Sequence, residues 1–300
     1  MLDTGATMKD LIDLDDWETA EIEAVYRLTD MLKTDPGRFR GALSNQTLLM
    51  LFAKPSTRTR VSFEAGTTSL GGHAIYFEQG QSQMARGEAL NDTAIVLSRY
   101  ADGIMARLFE HDSMVALAEY AAVPVINGLT DLLHPCQALA DFYTLREKNI
   151  EGPLAYVGDG NNVAHSLMQA GAKLGREVRI ATPEGYEPDP EIRDRVATAD
   201  VHITNDPVEA VDGAVAVYTD VFVSMGEEED KKADFEGFQV TPELMDHTDD
   251  GVFMHCLPAH RGEEVHPDVM DGPQSIVYDE AENRMHVQNA ILLRLLGASE

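Results

Sequence analysis

The sequence predicts an α/β protein of two doubly wound parallel-sheet domains, linked by helices, with the active site in the cleft between them. Three observations carry this. Short apolar runs alternate with amphipathic stretches along the chain, the pattern of strand–helix units in a parallel sheet. One longer helical stretch over 134–149 interrupts the alternation, which then begins again. Polar motifs fall at the carboxyl ends of the predicted strands, where open parallel sheets hold ligands. Residues 1–133 are expected to form the first domain. Residues 134–280, with the linking helix 134–149, form the second, and a C-terminal helix within 281–300 packs back on the first.

In chain order, Ile22, Val25, Leu28 and Leu32 recur at helical spacing and predict a helix over 8–34, with Asp15 and Asp16 ahead of Trp17. An apolar run over 47–53 reads as a buried strand. Pro55 stops it, Ser56 is a good N-cap, and a helix follows to about Ser69, ended by Gly71 and Gly72. A strand over 73–77, a Gln/Gly/Ser loop over 78–87, a helix over 88–100, a strand over 103–108, a helix over 114–121 and a strand over 123–127 complete the first series. The second has strands over 154–157, 177–181, 201–204, 214–218, 252–257 and 275–278. A helix from the Gly158 loop to about Leu174 follows the first of these, short helices lie between the next, and the last helix runs over 281–296. Pro135 sits in the first turn of the linking helix, where proline is tolerated. The loops at 54–60, 78–88, 127–137, 158–162, 220–226 and 255–258 then share one side of the two sheets.

With 300 residues, 44% of them hydrophobic, the chain is long enough for one large or two medium domains. No apolar run approaches the roughly 20 residues of a membrane span. Residues 1–10 have neither the basic nor the apolar stretch of a signal peptide. Two cysteines, Cys136 and Cys256, argue against a disulfide framework and fit a cytoplasmic enzyme. There are 52 acidic residues against 23 basic ones, a net charge of −29, and lysine is scarce. Such a surface repels nucleic acid and anionic membranes. It also repels itself unless salt screens it, and at molar salt the Debye length is only about 3 Å. The charge therefore predicts a salt-rich cytoplasm, as in a halophile.

The densest motif is Lys54-Pro55-Ser56-Thr57-Arg58-Thr59-Arg60, between the first strand and its helix. Six of its seven side chains can donate hydrogen bonds and three are cations. The helix start adds free backbone N–H groups and a partial positive charge. Arginine adds bidentate donors that match phosphate. The run is built to hold a small, multiply charged oxyanion. His134-Pro135-Cys136-Gln137 is a second helix start. His134 can polarise a carbonyl oxygen and Gln137 can accept from an amide NH2. Cys136 has the position of a helix-start nucleophile but no identifiable base partner. Gly158-Asp159-Gly160-Asn161-Asn162 follows a strand as a dinucleotide fingerprint would. It lacks the third glycine and the acidic residue after the next strand, so nicotinamide binding is disfavoured; a tight turn capped by Asp159 is the plainer reading. Asp220, at a strand end before Ser224-Met225-Gly226, can hold an ammonium group or cap a helix. His255-Cys256-Leu257-Pro258 ends a late strand. Adjacent side chains there should point to opposite sides, which disfavours a metal.

These motifs, with Ser82-Gln83-Met84-Ala85-Arg86-Gly87-Glu88, stand in the order found in the aspartate/ornithine transcarbamoylase family. The sequence resembles that family over nearly its whole length. Ser-Met-Gly at 224–226 and His-Cys-Leu-Pro at 255–258 resemble its ornithine branch. The resemblance implies transfer of the carbamoyl group of carbamoyl phosphate to the side-chain amine of L-ornithine, giving L-citrulline and phosphate, in arginine synthesis or breakdown. It implies that Ser56, Thr57, Arg58 and Thr59 bind the phosphate, joined by Arg107, with His134 on the carbamoyl oxygen. Gln137 and the Leu257 carbonyl would take the carbamoyl NH2, and Arg284 would lie at the reacting group. Pro135, Cys136 and Cys256 complete the carbamoyl phosphate set. Gln83 would reach into a neighbouring subunit's site, which implies a homotrimer or a multiple of trimers. Asn162, Asp220, Ser224 and Met225 would hold the amino-acid end of ornithine, with Cys256 against its side-chain amine. The catalytic group is thus Arg58, Arg107, His134, Gln137, Cys256 and Arg284, and neither metal nor organic cofactor is expected. The acidic run Glu227-Glu228-Glu229-Asp230 departs from the family pattern and suits halophilic adaptation. Competing readings are the same chemistry on putrescine, lysine or an acylated ornithine, a non-enzymatic anion sensor, and a nucleotide-dependent oxidoreductase.

Overall fold

The computed structural model describes residues 10–81, 83–223 and 229–297. The chain divides into two compact units, Met1–Cys136 with Arg284–Glu300, and Gln137–Asn283. Both divisions fall inside helices.

The first helix, α1 (Thr19–Thr34), is shorter than its apolar periodicity predicts. Glu21 accepts from the Glu18 N–H at 2.9 Å and starts the helix there. The apolar residues ahead of it are buried by other means. Leu11 bridges Ile126, exchanging backbone bonds with Val125 and Asn127, and the buried Trp17 donates its indole N–H to the Asp10 carbonyl at 3.3 Å. Then follow β1 (Thr47–Phe52), α2 (Thr57–Ser69), β2 (His73–Glu78), α3 (Leu90–Leu97), β3 (Gly103–Arg107), α4 (His111–Tyr120) and β4 (Val125–Leu129). All pairings are parallel and the order is β2-β1-β3-β4. Leu49, Leu51, Ile104 and Ala106 pack with Leu97, Met114 and Leu117 into one buried cluster. The order reverses between β1 and β3, where the carboxyl ends of neighbouring strands diverge into a ligand crevice. Phe52 pairs with Arg107 in register, and the Ala53 N–H donates to the Arg107 carbonyl at 2.8 Å. The residues after β1 thus start beside Arg107.

Helix α5 (Pro135–Glu147) leads into the second unit. There β5 (Leu154–Val157), α6 (Asn162–Leu174), β6 (Val178–Ala181), α7 (Pro190–Arg195), β7 (Val201–Thr204), α8 (Pro207–Val211), β8 (Ala216–Thr219), α9 (Pro242–Met245), β9 (Val252–His255) and α10 (Pro267–Met270) precede the long α11 (Val277–Leu296). The sheet is parallel, ordered β7-β6-β5-β8-β9, and reverses between β5 and β8. Val157, Val217 and Phe253 share a core with Phe222, Phe235 and Phe238. The strand expected over 275–278 does not form. Ser275 makes only an isolated bridge with Phe253. The Ile276 carbonyl then accepts the Glu280 N–H at 3.0 Å, so the helical ladder begins here and α11 starts four residues ahead of the expected 281. Its buried Ile276 and Val277 imitate a strand's apolar run.

Gly160 has a packing reason. Its N–H donates to the Tyr186 carbonyl at 2.9 Å, and a Cβ would strike the backbone of residues 186–188. Gly160→Ala is therefore expected to destabilise by roughly 1–3 kcal/mol, since backbone has to shift to admit one methyl group. Denaturant unfolding in molar KCl measures it; unchanged stability would contradict this close approach.

Candidate functional site

In the first unit, Ser56 caps α2. Its Oγ accepts from the Thr59 N–H at 3.3 Å and lies 3.0 Å from the Thr59 Oγ1. Thr59 is fully buried, Thr57 exposed and Arg58 half-buried at this helix start. Arg60 takes another direction, stacking 3.9 Å over the Tyr76 ring and pairing with Glu64 at 3.3 Å. Of the two motif arginines, Arg58 is the one left for an anion. Arg284, buried on α11, donates from Nη2 to Thr59 Oγ1 at 2.6 Å. Sequence separation of 225 residues hides this contact from local reading. Arg107 is buried at the end of β3.

His134, just ahead of α5, is 4% exposed. Burial holds its pKa well below the usual histidine value, and the nearby Arg284 and Arg107 guanidiniums push it further down. The imidazole is therefore neutral at pH 7 and carries one N–H, as a hydrogen-bond donor to a carbonyl oxygen requires. Pro135 opens α5. Cys136 is fully buried and its thiol faces the Asn127 carbonyl at 3.5 Å. Burial pushes its pKa up to about 12, outweighing the arginine and the helix start, so it stays a thiol and no nucleophile. Gln83 stands exposed ahead of a single turn over Met84–Arg86. Ser82 lies outside the described residues.

In the second unit, Asn161 is the centre of the β5 loop. Its Oδ1 accepts the Val163 and Ala164 N–H groups and caps α6, and its Nδ2 donates to Asp220 Oδ2 at 3.1 Å. Asp159 does not cap the helix; it pairs with Lys231 at 2.8 Å. Asn162 is the first residue of α6. Asp220, one residue past β8 and 7% exposed, also accepts the Cys256 thiol at 3.1 Å on Oδ1. It is thus no helix cap but a buried carboxylate held at both oxygens. The Cys256 pKa is driven far above its ordinary value by burial first and the Asp220 charge second, so the thiol stays protonated and donates. Ser224 and Met225 lie outside the described residues.

His255 and Cys256 do not point apart as strand alternation predicts, because β9 ends at His255. Ligand atoms of Asp220, His255 and Cys256 lie within 4.8 Å of one another. Both His255 nitrogens are nevertheless engaged by protein: Nδ1 accepts the Leu257 N–H at 2.9 Å, and Nε2, which then carries the proton, faces the buried Glu264 at 3.2 Å. The donor set does not suit a metal. Leu257 has φ of 59°, a left-handed conformation unusual for a large side chain and typical of functional loops.

Gln137 is buried on the first turn of α5. Its Nε2 donates to Asp141 Oδ1 at 2.8 Å and to Glu280 Oε1 at 3.1 Å, while its Oε1 has no hydrogen-bond partner among the described residues. In the sequence Gln137 reads as an acceptor, while the two carboxylates behind it go unmarked. The Gln137–Asp141 spacing of i, i+4 on a helix was the available signal. Glu280 was hidden because it was placed between a strand and a helix. Asn161 stands in the same motif as Asn162, but its bond to Asp220 shows only in the folded chain.

Residues 9–147 match the aspartate/ornithine carbamoyltransferase carbamoyl-P binding domain, and residues 151–295 match the Asp/Orn binding domain of the same family. A catabolic ornithine carbamoyltransferase from Halobacterium salinarum is 63% identical over 97% of this chain and 100% of its own length. An anabolic one from Pyrococcus furiosus is 50% identical over 96% of both chains. The solved structure of ornithine carbamoyltransferase from Pyrococcus furiosus superposes with a TM-score of 0.93 at 50% identity, covering 97% of this chain and 98% of that one. The two matched domains lie in sequence order and between them cover all of the residues that carry the motifs, so the chain belongs to the aspartate/ornithine carbamoyltransferase family.

Proposed function

We propose that the protein transfers the carbamoyl group of carbamoyl phosphate to the side-chain amine of L-ornithine, forming L-citrulline and phosphate. The observation that carries this reading is the neutral, buried His134 beside Arg107 and Arg284. A site for a bare anion would gain more from an imidazolium; a neutral N–H donor suits a carbonyl oxygen, whose charge grows only as the new bond forms.

Ser56, Thr57, Arg58, Thr59 and Arg107 hold the phosphate, assisted by the start of α2. His134 donates to the carbamoyl oxygen, where negative charge grows as the amine adds. Gln137 Oε1 and the Leu257 carbonyl accept from the carbamoyl NH2. Arg284, fixed on Thr59, lies at the reacting group. The Asp220 carboxylate takes the α-ammonium of ornithine, with Asn162, Ser224 and Met225 at the same end. The Cys256 thiol, protonated, lies against the side-chain amine and forms no covalent intermediate. The amine nitrogen attacks as the free base, the new C–N bond replaces the C–O bond to phosphate, and the amine proton leaves with buffer or phosphate. Since an alkylamine is mostly protonated at pH 7, the site has to favour its neutral form. Catalysis then rests on orientation and charge stabilisation.

The exposed Gln83 supports an assembly of trimers in which this loop completes a neighbour's site. The net charge of −29 supports a cytoplasm rich in salt. No helix among the described residues is long and apolar enough to cross a membrane.

The direct test is formation of citrulline and phosphate in equal amounts from carbamoyl phosphate and ornithine in molar KCl; folded protein that yields neither contradicts the reading. Arg58→Ala is expected to lose on the order of 3–5 kcal/mol of transition-state binding in kcat/KM, as for a charged contact that the bound phosphate buries; near-normal kinetics would remove Arg58 from the phosphate site. Asp220→Asn is expected to raise the ornithine KM and leave carbamoyl phosphate affinity unchanged, and an equal loss of both would contradict two separate half-sites. On dialysis to low salt the enzyme is expected to lose activity as charge repulsion is unscreened; full activity there would discard the halophilic reading.

A further inference from the structure

Gln137 raises a question of orientation that its own motif does not answer. A primary amide can present oxygen or NH2 with almost no change of shape. To accept from a carbamoyl NH2 it has to present oxygen. Turned the other way, it would set one donor against another and leave one N–H of the substrate amide unpaired. Here two carboxylates face one side of the amide. Asp141 Oδ1 and Glu280 Oε1 both accept from Nε2, at 2.8 and 3.1 Å. The reversed amide would set its oxygen against both carboxylate oxygens. The pair therefore selects one orientation and leaves the buried Oε1, which has no hydrogen-bond partner among the described residues, as the acceptor on the other side of the amide.

Glu280 is itself held from three directions. Besides Gln137, its Oε1 accepts the Tyr218 hydroxyl at 3.1 Å, and its Oε2 accepts the His255 backbone N–H at 3.0 Å. Tyr218 belongs to β8 and His255 ends β9, two residues before Leu257. Asp141 and Glu280 are both fully buried. Two adjacent buried carboxylates cannot both ionise cheaply. Burial first, then the Asp141 charge, holds the Glu280 pKa far above the usual carboxylate range, so the pair keeps a proton. The retained proton, held in the hydrogen bond between the two carboxyls, removes the repulsion and leaves their remaining lone pairs for the Gln137 NH2.

We propose that Glu280, backed by Asp141, is a positioning residue that fixes the Gln137 carboxamide with its oxygen toward the carbamoyl NH2 and so selects carbamoyl phosphate over inorganic phosphate. This rests on the proposed carbamoyl transfer and adds a residue that never touches substrate. Inorganic phosphate has the same anionic end but no NH2. A merely structural Glu280 would move the affinities for both together, whereas a positioning Glu280 moves their ratio.

The test compares the carbamoyl phosphate KM with the inhibition constant of inorganic phosphate, at saturating ornithine in molar KCl, for folded wild type and variants. Glu280→Leu is expected to raise the carbamoyl phosphate KM on the order of tenfold relative to the phosphate constant, the scale of one buried hydrogen bond. Where Glu280→Leu does not fold, Glu280→Ala, which leaves room for water, carries the same expectation. Glu280→Gln keeps an acceptor oxygen for Gln137 and Tyr218 but sets its NH2 against the His255 N–H, so it is expected to shift the ratio less than Glu280→Leu does. An unchanged ratio in the Leu or Ala variant overturns the inference. Gln137→Leu separates the two levels. If it shifts the ratio while the Glu280 variants do not, the positioning role alone fails. If it also leaves the ratio unchanged, the assignment of Gln137 to the carbamoyl NH2 fails as well.

Discussion

Strand order is the constraint on which both half-sites depend. Each sheet reverses direction once, between β1 and β3 in one unit and between β5 and β8 in the other. At a reversal the connecting helices leave to opposite faces, and the carboxyl ends of the two strands are left uncovered. In the first unit this point carries the Ser56 cap, Arg58 and Arg107, beside one another because Phe52 and Arg107 are in register. In the second it carries Asn161 and Asp220, brought together because Tyr156 and Tyr218 are in register. One architecture thus presents a cationic helix start in one unit and a buried carboxylate in the other. Those are the complements of a phosphate and an ammonium group.

Burial then sets which protons stay where. The same desolvation that keeps His134 neutral keeps the Cys136 and Cys256 thiols protonated and keeps a proton on the Asp141–Glu280 pair. Each is a hydrogen-bonding state rather than a nucleophilic or ionic one. None of these groups is an activated nucleophile, so in the proposed transfer the attacking group comes from the substrate. The cysteines, which by position alone invite a covalent mechanism, are accounted for by their surroundings.

Much of this was legible in the sequence. The Ser56 cap, the alternation of strands and helices, and the motifs at strand ends are local signals, set by capping, turn chemistry and apolar period, and the structure has them where these rules put them. The failures were also physical. Leu11 and Trp17 are buried by a backbone bridge and an indole hydrogen bond, which no helical period encodes. Ile276 and Val277 look like a strand because a helix start can be as buried as a strand. The Arg284–Thr59 contact and the Glu280 bond to Gln137 span 225 and 143 residues, and only the folded chain brings them together. Asp220 follows a strand as its position in the sequence suggests, but its thiol and amide partners could not be read from position.

The central proposal is that one half-site carries the carbamoyl donor and the other reads both the α-ammonium and the carboxylate of an amino acid. The most direct measurement is an acceptor series at fixed carbamoyl phosphate in molar KCl, with ornithine, putrescine, lysine and aspartate in turn. The account predicts transfer to ornithine far above the rest, since putrescine lacks the carboxylate, lysine is one methylene too long and aspartate has no side-chain amine. Transfer to putrescine or lysine at a comparable rate would contradict recognition of the ornithine head group, and transfer to aspartate would contradict the assignment of Asp220 altogether.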